Sequence, residues 1–149
     1  MNRSVAVDAS AAAAWMLDDE RTPESDRLLA GITDRTLRLV VPAVWSYEIL
    51  NILRTAVLRG RLDEHNARRA LGAIAVVPRE VVSVEAQGEA AILGTAMDLA
   101  LSAYDAAYVD LAESRGLDLV SADDHILRLR SRFPWIWTVR DFIKSIEHR

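Results

Sequence analysis

Leu37-Arg38-Leu39-Val40-Val41-Pro42-Ala43-Val44-Trp45-Ser46-Tyr47-Glu48-Ile49-Leu50-Asn51 reads as a buried strand that runs directly into a helix. Leu37 to Val41 is a short apolar run of the kind a strand covered on both faces requires. Pro42 suits a first helical turn, and Val44, Trp45, Ile49, Ile52, Leu53 and Val57 then recur at helical spacing until Gly60. The same alternation continues in both directions. On the N-terminal side, Ser4 to Asp8 carries Val5 and Val7 as a strand, Ser10 is placed to cap an Ala-rich helix reaching Leu17, and Glu24 to Ala30 forms a helix closed by Gly31. On the C-terminal side come a helix over Asp63–Ala75, a strand over Glu80–Val82 and a helix over Val84–Leu99 weakened by Gly88 and Gly94. They are followed by a helix from Ser102 to Gly116, a strand over Leu117–Ser121, a helix over Asp124–Arg130, a strand over Trp135–Thr138 and a last short helix. Parallel strands need long crossovers, and the crossovers here are helical. The expectation is a single three-layer α/β/α domain over residues 1–149 with a central parallel sheet of about five strands.

Composition narrows the chemistry. The chain is 51% apolar and 27% charged, has no internal repeat or low-complexity tract, and has the make-up of a folded globular domain. With no cysteine, disulfides, cysteine zinc sites, iron–sulfur clusters and thiol nucleophiles are excluded. No apolar run approaches the roughly 20 residues that cross a bilayer, and Asp8 interrupts the apolar stretch Val5–Leu17 that a targeting segment would need. A mature cytoplasmic protein without membrane contact is expected. The net charge of -4 speaks against a nucleic-acid partner, but four carboxylates gathered on a metal would leave the other acids equal in number to the 18 bases. All of those bases except Lys144 are Arg, which suits bidentate phosphate contacts, although genome composition produces the same bias.

In open parallel sheets the functional crevice lies at the C-terminal strand ends, which singles out Asp8 after the first strand and Asp123 after the fourth. Each alone also reads as a cap or turn residue. Glu48 sits mid-helix among apolar residues on one stripe with Asn51, and has no Lys or Arg at the neighbouring helical positions. Either the pair faces water at a helix edge or Glu48 needs a cation, a proton or several hydrogen bonds. Asp105 follows Ser102 by three residues, as in a capping box, but its short arm can equally leave the carboxylate pointing outward. Hard divalent cations prefer such oxygen ligands and, keeping several waters, leave room for phosphate oxygens. Other catalytic equipment is missing: there is no phosphate-binding glycine loop, Ser121 is not in a nucleophile elbow, and His65, His125 and His148 are isolated at polar positions. A receiver-type phosphoacceptor would need two adjacent acids after the first strand and a lysine near the fifth. Asp8 stands alone and Lys144 lies in the last helix.

Four segments together resemble the PIN domains and, within them, the VapC-type toxins of bacterial toxin–antitoxin pairs. They are Val7-Asp8-Ala9-Ser10 with Trp15 and Glu20 downstream, Pro42 with Glu48 and Asn51, Leu101-Ser102-Ala103-Tyr104-Asp105-Ala106-Ala107-Tyr108, and Ser121-Ala122-Asp123. In the last of these the family more commonly shows Thr before the acid. The resemblance implies the toxin component of a type II toxin–antitoxin system, an endoribonuclease dependent on Mg2+ or Mn2+. Asp8, Glu48, Asp105 and Asp123 would be both its metal ligands and its catalytic acids, and cleavage would leave 5′-phosphate and 3′-hydroxyl ends. It further implies Ser121 as a supporting hydroxyl, Asn51 as an orienting amide, and Asp124 as the neighbour that a one-residue shift would exchange for Asp123. The implied partners are the RNA substrate, a second copy in a homodimer, and a VapB-type antitoxin docking on apolar helix faces. Trp15, Trp45 and Leu17 either serve that groove or are ordinary core. A degenerate PIN-like binding module and a DNA or flap nuclease of the same fold are the alternatives.

Overall fold

A computed structural model describes residues 3–148. Its strands are β1 (Arg3–Val7), β2 (Leu37–Pro42), β3 (Glu80–Val82), β4 (Asp118–Val120) and β5 (Ile136–Trp137), joined in one sheet in the order β3-β2-β1-β4-β5. Every pairing is parallel, with Val5 opposite Leu39 and Val7 opposite Val120. Val5, Ala6 and Val7 are fully buried because β1 is central and covered on both faces. The strand order reverses direction at β1, so the C-terminal end of β1 beside β4 is the switch point where a crevice must open.

The helices are α1 (Ala9–Ala12), α2 (Pro23–Thr33), α3 (Val44–Leu58), α4 (Glu64–Ala75), α5 (Val84–Gln87), α6 (Glu89–Leu99), α7 (Ala103–Arg115), α8 (Asp124–Leu127) and α9 (Val139–Glu147). Helix α7 packs on β1, β2 and β4 with α6 outside it, while α2 packs on β2 and α9, and α9 on β5. This gives the expected three layers. Position in the stack explains why Ala106 through Ala112 are all buried: α7 is enclosed by the sheet on one side and α6 on the other. No helix among the described residues is long and apolar enough to cross a membrane. Away from the crevice, Asp118 accepts hydrogen bonds from Arg3 Nε (2.9 Å) and Trp137 Nε1 (2.7 Å), tying β1, β4 and β5 together.

Several boundaries differ from the sequence expectation, each for a local reason. Asp8, not Ser10, caps α1: its Oδ1 accepts from the Ala11 backbone N–H at 3.0 Å. Pro42 closes β2 rather than opening α3; at the last rung it removes one ladder donor, and the Ala43 N–H bonds the Val82 carbonyl in its place. Helix α2 passes through Gly31 to Thr33, and the reversal comes at Arg35 with φ +67°. The segment 84–99 is two helices, because Gly88 at φ +99° cannot continue a right-handed one. Trp45 and Leu17 are core residues, and Trp15 is partly buried with Nε1 donating to the Ser25 carbonyl. Trp45 therefore serves packing, while Leu17 also lines the cleft that holds Glu48.

Candidate functional site

Four elements converge at the switch point, and each delivers one carboxylate. Asp8 leaves the end of β1 and is buried; Oδ2 accepts from Ser121 Oγ (2.5 Å) and Oδ1 from Ser10 Oγ (2.5 Å) as well as from Ala11 N–H. Glu48 projects from α3, half-buried, with Oε1 accepting from the Tyr108 hydroxyl at 2.6 Å. Asp105 lies in the first turn of α7, where its backbone N–H bonds Ser102 Oγ at 3.1 Å. The Ser102 hydroxyl also lies beside the Asp105 carboxylate and pulls its pKa down, against burial and the Asp123 charge that raise it. Asp123 caps α8 through the His125 N–H (2.8 Å) and its backbone N–H bonds Ser121 Oγ (3.0 Å). Ser121 thus couples the loop after β4 to Asp8, beside the site where the resemblance implied a supporting hydroxyl.

Burial and mutual charge set the electrostatics of Asp8, Glu48 and Asp105. Burial pushes the carboxyl of Asp8 above its ordinary range, against hydrogen bonds from Ser10, Ser121 and Ala11 that pull it down, and the charge of Asp123 pushes it further up. Burial likewise raises Glu48, against the Tyr108 hydrogen bond and reinforced by Asp8, Asp105 and Asp123. Asp105 is raised by burial and then by Asp123, with His125 opposing. The ion pairs of Arg3, Arg21, Arg27, Arg38, Arg61, Arg68, Arg115 and Arg130 all go to other acids.

Asp123 and not Asp124 is the acid felt by the other three; Asp124 is exposed at the start of α8. Asn51 stands exposed in the same cleft but forms no hydrogen bond to Glu48, whose partner is Tyr108. Tyr108, Ser10 as an Asp8 ligand, and the influence of His125 on Asp105 were not anticipated. Only Tyr108 left a signal: it follows Asp105 by one helical turn, on a helix whose one fully buried aromatic it is.

A cleft of about 870 Å³ opens over Glu48, lined also by Asn51, Tyr47, Tyr104 and the Arg61 side chain. Among the described residues no three His, Asp or Glu side chains converge as a ready-made metal cage. Mg2+ does not require one. It binds through one or two carboxylates and keeps several waters, so an all-oxygen set with repelling charges and no Arg or Lys ion pair among the described residues fits such an ion.

Comparison with known proteins agrees with this architecture. Residues 5–131 match the family described as PIN domain. The chain is 33% identical over 137 residues to Ribonuclease VapC3 of Pyrobaculum aerophilum, an alignment covering 89% of this chain and 96% of that one. To Ribonuclease VapC9 of Mycobacterium tuberculosis H37Rv it is 38% identical over 123 residues, covering 80% and 85%. The crystal structure of PAE2754 from Pyrobaculum aerophilum superposes with a TM-score of 0.72 at 26% identity, covering 100% of both chains. This chain belongs to the PIN-domain family, on the branch of the proteins named VapC.

Proposed function

We propose that the protein is a divalent-metal-dependent endoribonuclease and the toxin component of a type II toxin–antitoxin system. The observation that carries this reading is four carboxylates brought together from β1, α3, α7 and the loop after β4, three of which, Asp8, Glu48 and Asp105, are held above their ordinary range by burial and by the charge of neighbouring carboxylates, with no Arg or Lys ion pair to any of the four among the described residues. The names of the VapC relatives support RNA as substrate and a VapB-type antitoxin as partner, and the proposal includes a homodimer as the working assembly.

In this reading Asp8, Glu48, Asp105 and Asp123 share the tasks of holding Mg2+ or Mn2+ and taking the proton of the attacking water. Bound there, the ion neutralises charge on the scissile phosphate and acidifies a water. Ser10, Ser121 and the Ala11 N–H fix the Asp8 carboxylate at both oxygens, so its orientation is set before substrate arrives. Tyr108 holds one oxygen of Glu48 and leaves the other available. Burial raises the proton affinity of Glu48 and Asp105, the direction a general base needs. Water oxygen attacks phosphorus, the bond to the 3′ oxygen breaks, and the products are a 5′-phosphate and a 3′-hydroxyl without participation of the 2′-hydroxyl.

The test is cleavage of total cellular RNA by antitoxin-free protein, with Mg2+, with chelator, and with Asp8→Asn, mapping every new 5′-phosphate end. New ends that need metal and vanish in the variant establish the activity and identify the substrate together. No new ends from folded protein would overturn it, in favour of a DNA substrate or a non-catalytic binding role.

A further inference from the structure

We infer that Tyr47 and Tyr104 flank a receptor for one unpaired nucleobase beside the acidic cleft, an inference that rests on the ribonuclease reading. Tyr47 precedes Glu48 on α3, and Tyr104 precedes Asp105 on α7. The two side chains are 76% and 63% exposed, whereas Trp45, Tyr108 and Phe142 are at most 1% exposed. Neither hydroxyl makes a hydrogen bond within the described residues, and both residues are largely exposed.

Both tyrosines line two adjoining spaces. One is the cleft of about 870 Å³ that contains Glu48 and Asn51. The other is a recess of about 320 Å³ whose remaining walls are mostly apolar, among them Val44, Ile92 and Ala107. Its one polar side chain apart from the tyrosines is Gln87, held by Nε2 donating to the Ala107 carbonyl (2.5 Å) and to Asp110 (3.0 Å). A recess of this size admits a flat ring and excludes a base-paired duplex. Aromatic faces beside it are what single-stranded RNA recognition uses, because every base has a face to stack. Electrostatics do not offer a substitute in the cleft: its one basic side chain is Arg61, already paired with Asp19 and Glu20. Stacking therefore supplies attraction that the acid-rich walls do not, and it registers the neighbouring phosphate against Glu48 and Asp105. A single apolar side chain of a protein partner is the competing occupant.

The test uses a short fluorescein-labelled single-stranded RNA and the same strand in a duplex. Binding is measured in chelator and cleavage in Mg2+, for the wild type and for Tyr47→Ala, Tyr47→Phe, Tyr104→Ala and Tyr104→Phe. Each Ala variant is expected to lose about fivefold to 100-fold in affinity for the single strand. The loss should persist at high salt, the Phe variants should retain wild-type affinity, and thermal midpoints should not move. Wild-type binding and cleavage by both Ala variants would overturn the base receptor and leave the ribonuclease reading standing. Equal losses on duplex and single strand, or a changed oligomeric state with unchanged RNA affinity, would also overturn it. A wild-type protein that neither binds nor cleaves RNA would overturn both.

Discussion

Asp8 allows its structural and chemical roles to be separated by two substitutions. Its side chain accepts three hydrogen bonds, two at Oδ1 from Ser10 and Ala11 and one at Oδ2 from Ser121. In Asp8→Asn the amide oxygen keeps the two at Oδ1, and the amide NH2 faces Ser121, whose hydroxyl can rotate to accept it. Asp8→Ala removes all three, so α1 loses its cap, at about 0.5–2 kcal/mol, and the buried Ser121 hydroxyl loses its acceptor, at about 1–3 kcal/mol. Both variants lose the same costly buried charge, so it cancels between them. Asp8→Ala is therefore expected to unfold about 1.5–5 kcal/mol more easily than Asp8→Asn, which for a chain of this size lowers the thermal midpoint by about 3–20 °C. The assay is thermal and denaturant unfolding in chelator, repeated with Mg2+. At a metal concentration one hundred times its Kd, the wild type should gain about 2.7 kcal/mol, and neither variant should gain as much. Equal stability of the two variants would refute the assignment of the loop's order to Asp8 hydrogen bonds. A wild-type metal response in Asp8→Asn would remove Asp8 from the proposed metal site.

Other outcomes follow from other parts of the fold. Hydrogen bonding and charge from Arg115, aided by Arg38, hold the Glu80 carboxyl below its ordinary range, so its contribution is present above the ordinary glutamate pKa and is lost as pH falls through the lowered value. Glu80→Gln should thus be less stable than the wild type at neutral pH, by no more than about 1 kcal/mol for so exposed a pair, and the two should converge in acid unfolding titrations. Trp45 is buried with its indole N–H unpartnered and the Arg79 guanidinium 5.0 Å from its ring centre. Trp45→Ala should cost about 3–5 kcal/mol by denaturant unfolding, and Trp45→Phe markedly less, since it also removes the orphaned donor. Gly88→Ala should destabilise because φ is +99°. Gly94→Ala, within α6 and with open space around a built Cβ, should stabilise by about 0.5–1 kcal/mol. Thermal melts of the two compared with the wild type decide the signs.

The layer architecture was legible in the sequence because strand and helix differ in period, and because buried parallel strands are mostly apolar, as in Val5–Val7 and, apart from the exposed Arg38, Leu37–Val41. The candidate acids were legible for separate reasons: Asp8 and Asp123 stand at C-terminal strand ends, where an open parallel sheet places its crevice, although each also read as a cap, and an apolar helix face is a poor place for the carboxylate of Glu48. Asp105 needed the resemblance, since a Ser three residues ahead explains it equally well as a capping arrangement. What the sequence determined by itself, then, was which elements exist and which acids do not belong to their surroundings, both being local properties. Tertiary structure decided the rest, because it depended on residues distant along the chain. Asp123 rather than Asp124 couples to Asp8 through the turn after β4 beside β1. Tyr108 meets Glu48 from sixty positions away. Trp45 goes to the core while its near neighbour Tyr47 stays at the surface, since helical geometry points them to different faces and only the packed sheet determines which face is inside.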